Sequence, residues 1–269
     1  MTDRNPRRLA VIAIVAVLVV VAVVLAFRLG RTTATPPIVT PNPTPSTSTS
    51  ASPTPSYSPT DRQGSPEPGL ETGPATAGEG GTTTGPAGLP LGYTRDRTGA
   101  ANAATNYLMW MNSLRITDKA TADAMAEVTA DDDKTRSAMI ASFDALRSGM
   151  ANITEDQPGP ARGAYAIAKY SQISALIYVW GPDVIAEKSG EKQQLWGITA
   201  VALVWVDGDW KLVGDLIAKV GGAAVDPLDP AGNPSAEEKH SILRRTPADP
   251  GDITDSADQT WFEYANAPH

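Results

Sequence analysis

The chain contains no cysteine and only two histidines in 269 residues. Without cysteine, disulfide bridges, zinc–thiolate sites and thiol catalysis are excluded. Both histidines, His240 and His269, lie in the acidic C-terminal part of the chain. Their position rules out a histidine-based catalytic triad or metal site in the residues that precede them.

Basic residues are scarce after the first 31 positions. The formal net charge is −8, and no long segment beyond residue 31 has more Lys and Arg than Asp and Glu. A protein that binds DNA or RNA through phosphate contacts needs such an excess. We therefore expect no nucleic-acid partner.

One long apolar run stands near the N-terminus, from Leu9 to Phe27. At about 1.5 Å per residue a helix of this length spans roughly 28 Å, the hydrocarbon thickness of a bilayer. The run predicts a transmembrane helix over residues 9–28, through which the chain contacts the lipid bilayer. It is longer than the roughly 7–15 apolar residues of a cleaved secretory signal, and Arg28 and Arg31 make a poor cleavage site. We therefore expect an uncleaved signal anchor.

The charges on either side of this run indicate its orientation. Three arginines precede the run and two follow it, which favours a cytoplasmic N-terminus under the positive-inside rule. Only residues 1–8 precede the predicted helix, and everything large follows it. We expect a single-pass protein of the cell membrane, with a cytoplasmic tail at residues 1–8 and an extracytoplasmic C-terminal domain.

Residues 29–92 are rich in Pro, Ser, Thr and Gly and poor in large apolar side chains. Such a composition buries too little apolar surface to offset the loss of backbone entropy, so it predicts a disordered linker. The Pro-Thr and Ser-Thr runs between Pro36 and Pro59 favour an extended chain and offer hydroxyl groups for O-glycosylation. A plain tether and a stalk that crosses a cell-wall layer both fit this composition.

Apolar side chains follow a helical spacing after residue 93. Three helices are predicted, with Thr98 as the N-cap of the first and Thr117 or Asp118 as the N-cap of the second. The carboxylates of Asp131–Asp133 stand at the start of the third, where they interact favourably with the helix dipole. A calcium site is the alternative for these carboxylates, but the spaced ligands and the glycine of an EF-hand are missing.

The apolar period changes from about 3.6 to about 2 after residue 160. Four strands are predicted, with a bend at Gly181-Pro182 after the second and a tight turn at Asp207-Gly208 between the last two. Residues 93–220 are therefore predicted to form an α+β domain in which three helices pack on a curved antiparallel sheet. The predicted strands are Ala164–Tyr170, Ile173–Trp180, Leu195–Val206 and Trp210–Val213.

Four of the six tryptophans fall in this predicted sheet. Trp196 and Trp205 are separated by an odd number of residues on one strand, so their side chains are expected on opposite faces. One ring then belongs to the core, and the other lies on the surface or in a pocket.

The sequence from Ala202 to Leu212, in which apolar alternation leads to Asp-Gly and then to Trp-Lys-Leu, resembles a known pattern. Together with the apolar span, the linker and the helices-then-sheet order, it is similar to membrane-tethered nuclear transport factor 2-like (cystatin-like cone) proteins of actinobacteria. The architecture also resembles the inner-membrane scaffold subunits of conjugative type IV secretion systems, of the TcpC and TraM type. The resemblance implies a cone-shaped α+β fold and a scaffold role, and it transfers no catalytic residue.

An enzyme on such a cone needs a pocket with acid–base groups. Asp183 is the one carboxylate in a setting that suits a cavity, and Tyr165, Tyr170 or Tyr178 is the partner it would need in an isomerase-like dyad. The alternative is that Asp183 is a turn residue and the tyrosines belong to the sheet. Because no pair of groups with opposed pKa shifts is visible, we expect no catalytic, cofactor-binding or metal-binding residue.

Residues 221–269 form an acidic tail with its own features. Ser235 and Glu238 make a capping box, which predicts a short helix near residues 236–245. The chain ends with an aromatic cluster that either folds back onto the domain or docks on a partner as a short peptide. The candidate partner-contact residues are Trp261, Phe262 and Tyr264.

These features predict a non-enzymatic membrane scaffold that contacts other membrane or secretion-complex proteins, with a homo-oligomer as one arrangement. An accessory subunit of a lipid-import complex of the mammalian-cell-entry type is an alternative. A cone domain that binds a small apolar molecule is another.

Overall fold

The computed structural model describes residues 69–220, 234–245 and 260–268 of the chain. No helix in these ranges is long and apolar enough to cross a membrane, and the helix predicted at residues 9–28 lies outside them. The helices are α1 (Arg97–Met111), α2 (Lys119–Thr129), α3 (Asp133–Gly149) and α4 (Ala236–Arg245). The strands are β1 (Glu71–Thr72), β2 (Thr83–Thr84), β3 (Pro90–Leu91), β4 (Ile153–Pro158), β5 (Ala164–Tyr170), β6 (Ser174–Glu187), β7 (Lys192–Val206), β8 (Asp209–Val220) and β9 (Trp261–Glu263).

An aspartate caps each of the first three helices. Of the residues predicted for the next two helix starts, Asp118 caps α2 and Asp132 caps α3, and each carboxylate accepts a hydrogen bond from a backbone N–H three residues later. The prediction of Thr98 as the cap of α1 is wrong. Asp96 takes that role because its carboxylate accepts from the Gly99 N–H at 2.7 Å, which places Thr98 inside the helix.

In the part of the chain that the structure describes, β6 pairs with three other strands of a seven-stranded, mostly antiparallel sheet. Its first half pairs with β5 and its second half with β4, while β7 pairs along its whole length. The predicted end of this strand at Gly181-Pro182 is therefore wrong. Pro182 lies where β6 changes its neighbour from β5 to β4, a position at which its missing N–H interrupts neither ladder.

The turn predicted between β7 and β8 is confirmed. Asp207 has φ 52° and Gly208 has φ 81°, and two consecutive positive φ angles define the type I′ turn that Asp-Gly favours. Both strands are longer than predicted, since β7 begins at Lys192 and β8 continues to Val220.

The sheet has an apolar core on each of its faces. Helices α1 to α3 cover the first face and α4 covers the second, where Leu243 of α4 and Trp261 of the sheet strand β9 join the other strand residues. Trp205 packs against the first core and Trp196 against the second, which confirms that the two rings point to opposite faces. The fold is α+β, with helices packed on a mostly antiparallel sheet.

The domain begins earlier than residue 93, which corrects the predicted extent of the linker. Residues 69–92, here called the strap, cross α1, and Ala75 and Leu89 on the strap are buried. The buried side chains of Asn102 and Asn106 on α1 accept hydrogen bonds from the N–H groups of Thr76 and Gly78, at 2.9 and 2.7 Å. Hydrogen bonds to these amides hold a segment that has few apolar side chains of its own.

Candidate functional site

The structure separates the groups of the predicted isomerase-like dyad. The Asn112 amide donates to the Asp183 carboxylate at 3.3 Å, at the end of α1. Tyr178 is five residues from Asp183 on the regular strand β6, so its ring belongs to the opposite face, in the second core. The Tyr165 hydroxyl accepts from the Ala75 N–H, and Tyr170 donates to the Arg95 carbonyl. Each group therefore has a structural partner within the fold.

Burial also keeps other tyrosines in their neutral form. Desolvation raises the pKa of Tyr93, Tyr107 and Tyr264 far above the ordinary value of a phenol, and nearby Asp209 adds to the rise at the first two. A tyrosine whose pKa is raised in this way does not act as a base at neutral pH. These side chains serve as hydrogen-bond donors in the core.

The aspartate that follows the type I′ turn has a structural role that the sequence pattern did not indicate. Both carboxylate oxygens of buried Asp209 accept from the strap, from the N–H of Gly92 at 2.8 Å and of Tyr93 at 3.0 Å. The indole of Trp210 donates to the Thr94 carbonyl at 3.0 Å. The hairpin motif thus fastens the end of the strap to the sheet.

The candidate partner-contact residues Trp261, Phe262 and Tyr264 are packed inside the domain. Trp261 is buried in the second core, Phe262 packs against the first, and Tyr264 is fully buried. The Tyr264 and Thr105 hydroxyls are hydrogen-bonded at 2.9 Å. The cluster folds back, one of the two predicted outcomes, and this burial removes Trp261 and Tyr264 from the surface offered to another protein. Within the chain described, these side chains are internal contacts of the domain.

The described residues show no carboxylate and histidine cluster suited to a metal ion. Of the three carboxylates considered for calcium, Asp132 caps α3, and the hydrogen bonds from Thr135 lower its pKa. Asp133 pairs with Arg136 at 2.9 Å. The hydrogen bond of Asp132 and the ion pair of Asp133 are the contacts that carboxylates make at the start of a helix.

A group of exposed arginine and apolar side chains lies at the end of the sheet that carries both the β5–β6 turn and the β7–β8 turn. Two arginines lie over aromatic rings there, with Arg95 5.4 Å from the Trp205 centroid and Arg97 5.2 Å from that of Tyr170. Ile173, at the tip of the β5–β6 turn, is 62% exposed. We call this set the arginine–aromatic surface: Arg95, Arg97, Tyr170, Ile173 and Trp205.

The turn that presents Ile173 is firmly held. The Ile173 carbonyl accepts from the Trp205 N–H at 3.0 Å, and the hydroxyls of Ser171 and Ser174 are hydrogen-bonded at 3.0 Å. The Arg95 Nε donates to the Gln172 carbonyl at 2.8 Å. The backbone that carries the exposed Ile173 side chain is therefore held next to Arg95.

This surface could not be predicted from the sequence, because its members are distant in the chain. Arg95 and Arg97 flank the cap of α1, and Trp205 lies more than a hundred residues later. The one available signal was the placement of Trp205 on a face opposite Trp196, which indicated a ring for the surface or the core. Only the pairing of β5, β6 and β7 brings these residues together.

No curated protein and no solved structure matches the chain. A family model described as a domain of unknown function, DUF8175, matches residues 31–231. The match spans most of the chain, from the predicted linker to just beyond β8, and the chain therefore belongs to the DUF8175 family.

Proposed function

We propose that the chain is a non-enzymatic, single-pass membrane protein whose extracytoplasmic domain binds other proteins. In this proposal it serves as a scaffold subunit of a conjugative or related type IV secretion apparatus. The predicted transmembrane helix at residues 9–28 holds the domain at the membrane. The arginine–aromatic surface is the observation that carries the protein-binding part.

A nuclear transport factor 2-like cone is the fold we propose for the domain. Three helices on one face of a long antiparallel sheet support this assignment, as does the β7–β8 hairpin with its Trp-Lys-Leu sequence. A solved structure of a DUF8175 member compared with known cones tests it directly.

The chemistry of the surface suits a protein partner. Trp, Tyr and Arg are the residue types that contribute most to binding at protein interfaces, usually around a central apolar contact. Within the described part of the chain, neither Arg95 nor Arg97 forms an ion pair, so both guanidinium groups suit a partner's carboxylates. We propose a partner surface that carries carboxylates around an apolar pocket for Ile173.

The orientation of the domain is tested first. Because the chain has no cysteine, Ser189→Cys, in the exposed β6–β7 turn away from the arginine–aromatic surface, creates one exposed thiol. A membrane-impermeant maleimide added to intact cells labels this variant if the domain is extracytoplasmic. Labelling that requires cell lysis would contradict the proposed orientation. Labelling of wild-type chain gives the background.

The partner is tested by photo-cross-linking in intact membranes. A benzophenone side chain at position 173 is expected to capture a subunit of a secretion apparatus, identified by mass spectrometry. The matched control places the same group at Ser189, in the exposed β6–β7 turn at the opposite end of the sheet. Capture must also fall about tenfold in an Arg95→Ala, Arg97→Ala background, which is the loss of about 1.4 kcal/mol of binding free energy. Capture of permease-like subunits would favour the lipid-import alternative, and equal capture at both positions would overturn the surface.

A further inference from the structure

The C-terminal strand occupies a position between two other strands. Strand β9 pairs in parallel with β1 on one side and antiparallel with β5 on the other. Beyond the strand, the Ala265 N–H donates to the Ala75 carbonyl at 2.8 Å. Residues 260–268, here called the C-terminal segment, therefore fill a slot between two walls. One wall is the beginning of the strap, which includes β1, and the other is β5.

The C-terminal segment has its own set of buried contacts along its length. Trp261 enters the second core, while Tyr264 enters the first and is hydrogen-bonded to Thr105. Asn266 accepts from the Ala77 N–H at 3.0 Å and donates to the Ala77 carbonyl at 2.9 Å. Alternate side chains fill pockets while the backbone joins a sheet, which is how a bound extended peptide is recognised.

A buried ion pair adds a charge requirement to this slot. Glu263 on β9 and Lys239 on α4 are 2.5 Å apart, and their side chains are only 6% and 2% exposed. A buried charge that loses its partner strongly destabilises the structure that contains it, so the slot accepts a segment with a carboxylate at this position far better than one without it.

The stretch of chain that joins α4 to the C-terminal segment is long enough for this segment to reach a second copy. Fourteen residues, 246–259, separate the C-terminal segment from α4, and a fully extended chain of that length reaches about 50 Å. The C-terminal segment also lies outside residues 31–231, the range that the family model matches. Its contacts are the same whether the segment comes from its own chain or from an identical chain, which is the condition for low-cost swapping between copies.

We propose that the slot between β1 and β5 is a peptide-acceptor site that takes the C-terminal segment of a second copy of this chain. This step rests on the proposed function: if the transmembrane helix predicted at residues 9–28 holds the copies on one membrane, their effective concentration is high, which favours reciprocal exchange. In the exchanged pair each copy contributes Trp261, Glu263 and Tyr264 to the other. The inference does not depend on the arginine–aromatic surface.

A charge-reversal experiment on the full chain tests the exchange. Lys239→Glu places two carboxylates in the slot, and Glu263→Lys places two ammonium groups there. When the two variants are co-expressed with different affinity tags, exchange of the C-terminal segments restores an opposite-charge pair in both slots. We expect at least about tenfold more mixed pairs from this combination than from either variant co-expressed with itself.

The control is the double variant Lys239→Glu, Glu263→Lys, in which each chain carries its own restored pair. Two differently tagged copies of it are expected to mix no more than two wild-type copies. A mixture of the single variants that shows no enrichment overturns the second copy as the occupant.

A second measurement covers variants that fold poorly. Tyr264→Ala in the full chain weakens the resident segment, and a synthetic peptide of residues 260–268 is then added. The peptide is expected to raise the melting temperature of this variant, and a peptide with Tyr264→Ala is expected not to. Absence of stabilisation by both peptides overturns the slot as an acceptor for a separate chain.

Discussion

The two faces of the sheet are covered in different ways. The first face lies under α1, α2 and α3, which are consecutive in sequence and contribute many buried side chains. On the second face the described cover is the short helix α4, and the side chain of Trp261, from the sheet strand β9, joins the same core. The first cover follows from local pattern, whereas the second relies on a few deeply buried contacts that are distant in the chain.

The largest expected effect tests whether the second face is a true core. Trp210 on the first face and Trp180 on the second are both fully buried. Replacing either by Ala removes a large ring and leaves a cavity, so each is expected to lower the free energy of unfolding by about 3–5 kcal/mol. Urea unfolding measures both. A loss below about 1 kcal/mol for Trp180→Ala would show that the second face is only loosely covered.

The next effect concerns the ion pair that fixes α4 to β9. Lys239→Met leaves the Glu263 carboxylate buried and unpaired, and we expect a loss of about 3 kcal/mol. The double variant Lys239→Met, Glu263→Leu removes both charges and is expected to lose less than about 1 kcal/mol. Equal losses for the single and double variants would contradict the burial of this pair.

These two faces also differ in how far they were predictable. Strand β5 and the tight turn at Asp207-Gly208 follow from residues within a few positions and were predicted correctly, and the caps Asp118 and Asp132 are each among the residues predicted for those helix starts. The ordered state of the strap and the position of the C-terminal segment were harder to predict, because contacts between residues distant in the chain hold both segments in place. The bonds between Ala77 and Asn266 join residues 189 positions apart.

The strap was predicted to be disordered from its composition, and its contacts explain why that prediction was wrong. Few large apolar side chains indicate disorder, yet the strap is ordered because buried Asn102, Asn106 and Asp209 accept its N–H groups. Those acceptors lie on α1 and β8, and the sequence of the strap itself does not indicate them. The arginine–aromatic surface could not be predicted for the same reason, since its members come from the start of α1, the strands β5 and β7 and the β5–β6 turn.

A smaller effect follows from the buried tyrosines. Their pKa values are raised in the folded state, so unfolding releases phenols that ionise at an ordinary pKa near 10. The stability is complete below pH 10 and falls as the pH rises above it, by about 1.4 kcal/mol per buried tyrosine at pH 11. Urea unfolding at pH 8 and pH 11 measures the loss. Tyr264→Phe is expected to lose about 1.4 kcal/mol less between these pH values than wild type, and an unchanged loss would contradict the burial of its hydroxyl.

The smallest effect on stability is expected at the arginine–aromatic surface. Arg95 is exposed, and Arg95→Ala is expected to change the free energy of unfolding by less than about 0.5 kcal/mol. The same change reduces photo-cross-linking from position 173. A large loss of stability would mean that Arg95 acts in folding, and the surface would then be part of the first core.

Deletion of the C-terminal segment tests the central claim most directly, because the second face depends on it. A chain that ends at residue 259 loses Trp261, Tyr264 and the carboxylate that pairs with Lys239. The account predicts a melting temperature lower by at least about 10 °C, the consequence of losing several kcal/mol in a domain of this size. An unchanged melting temperature would contradict it, because the segment would then be an appendage.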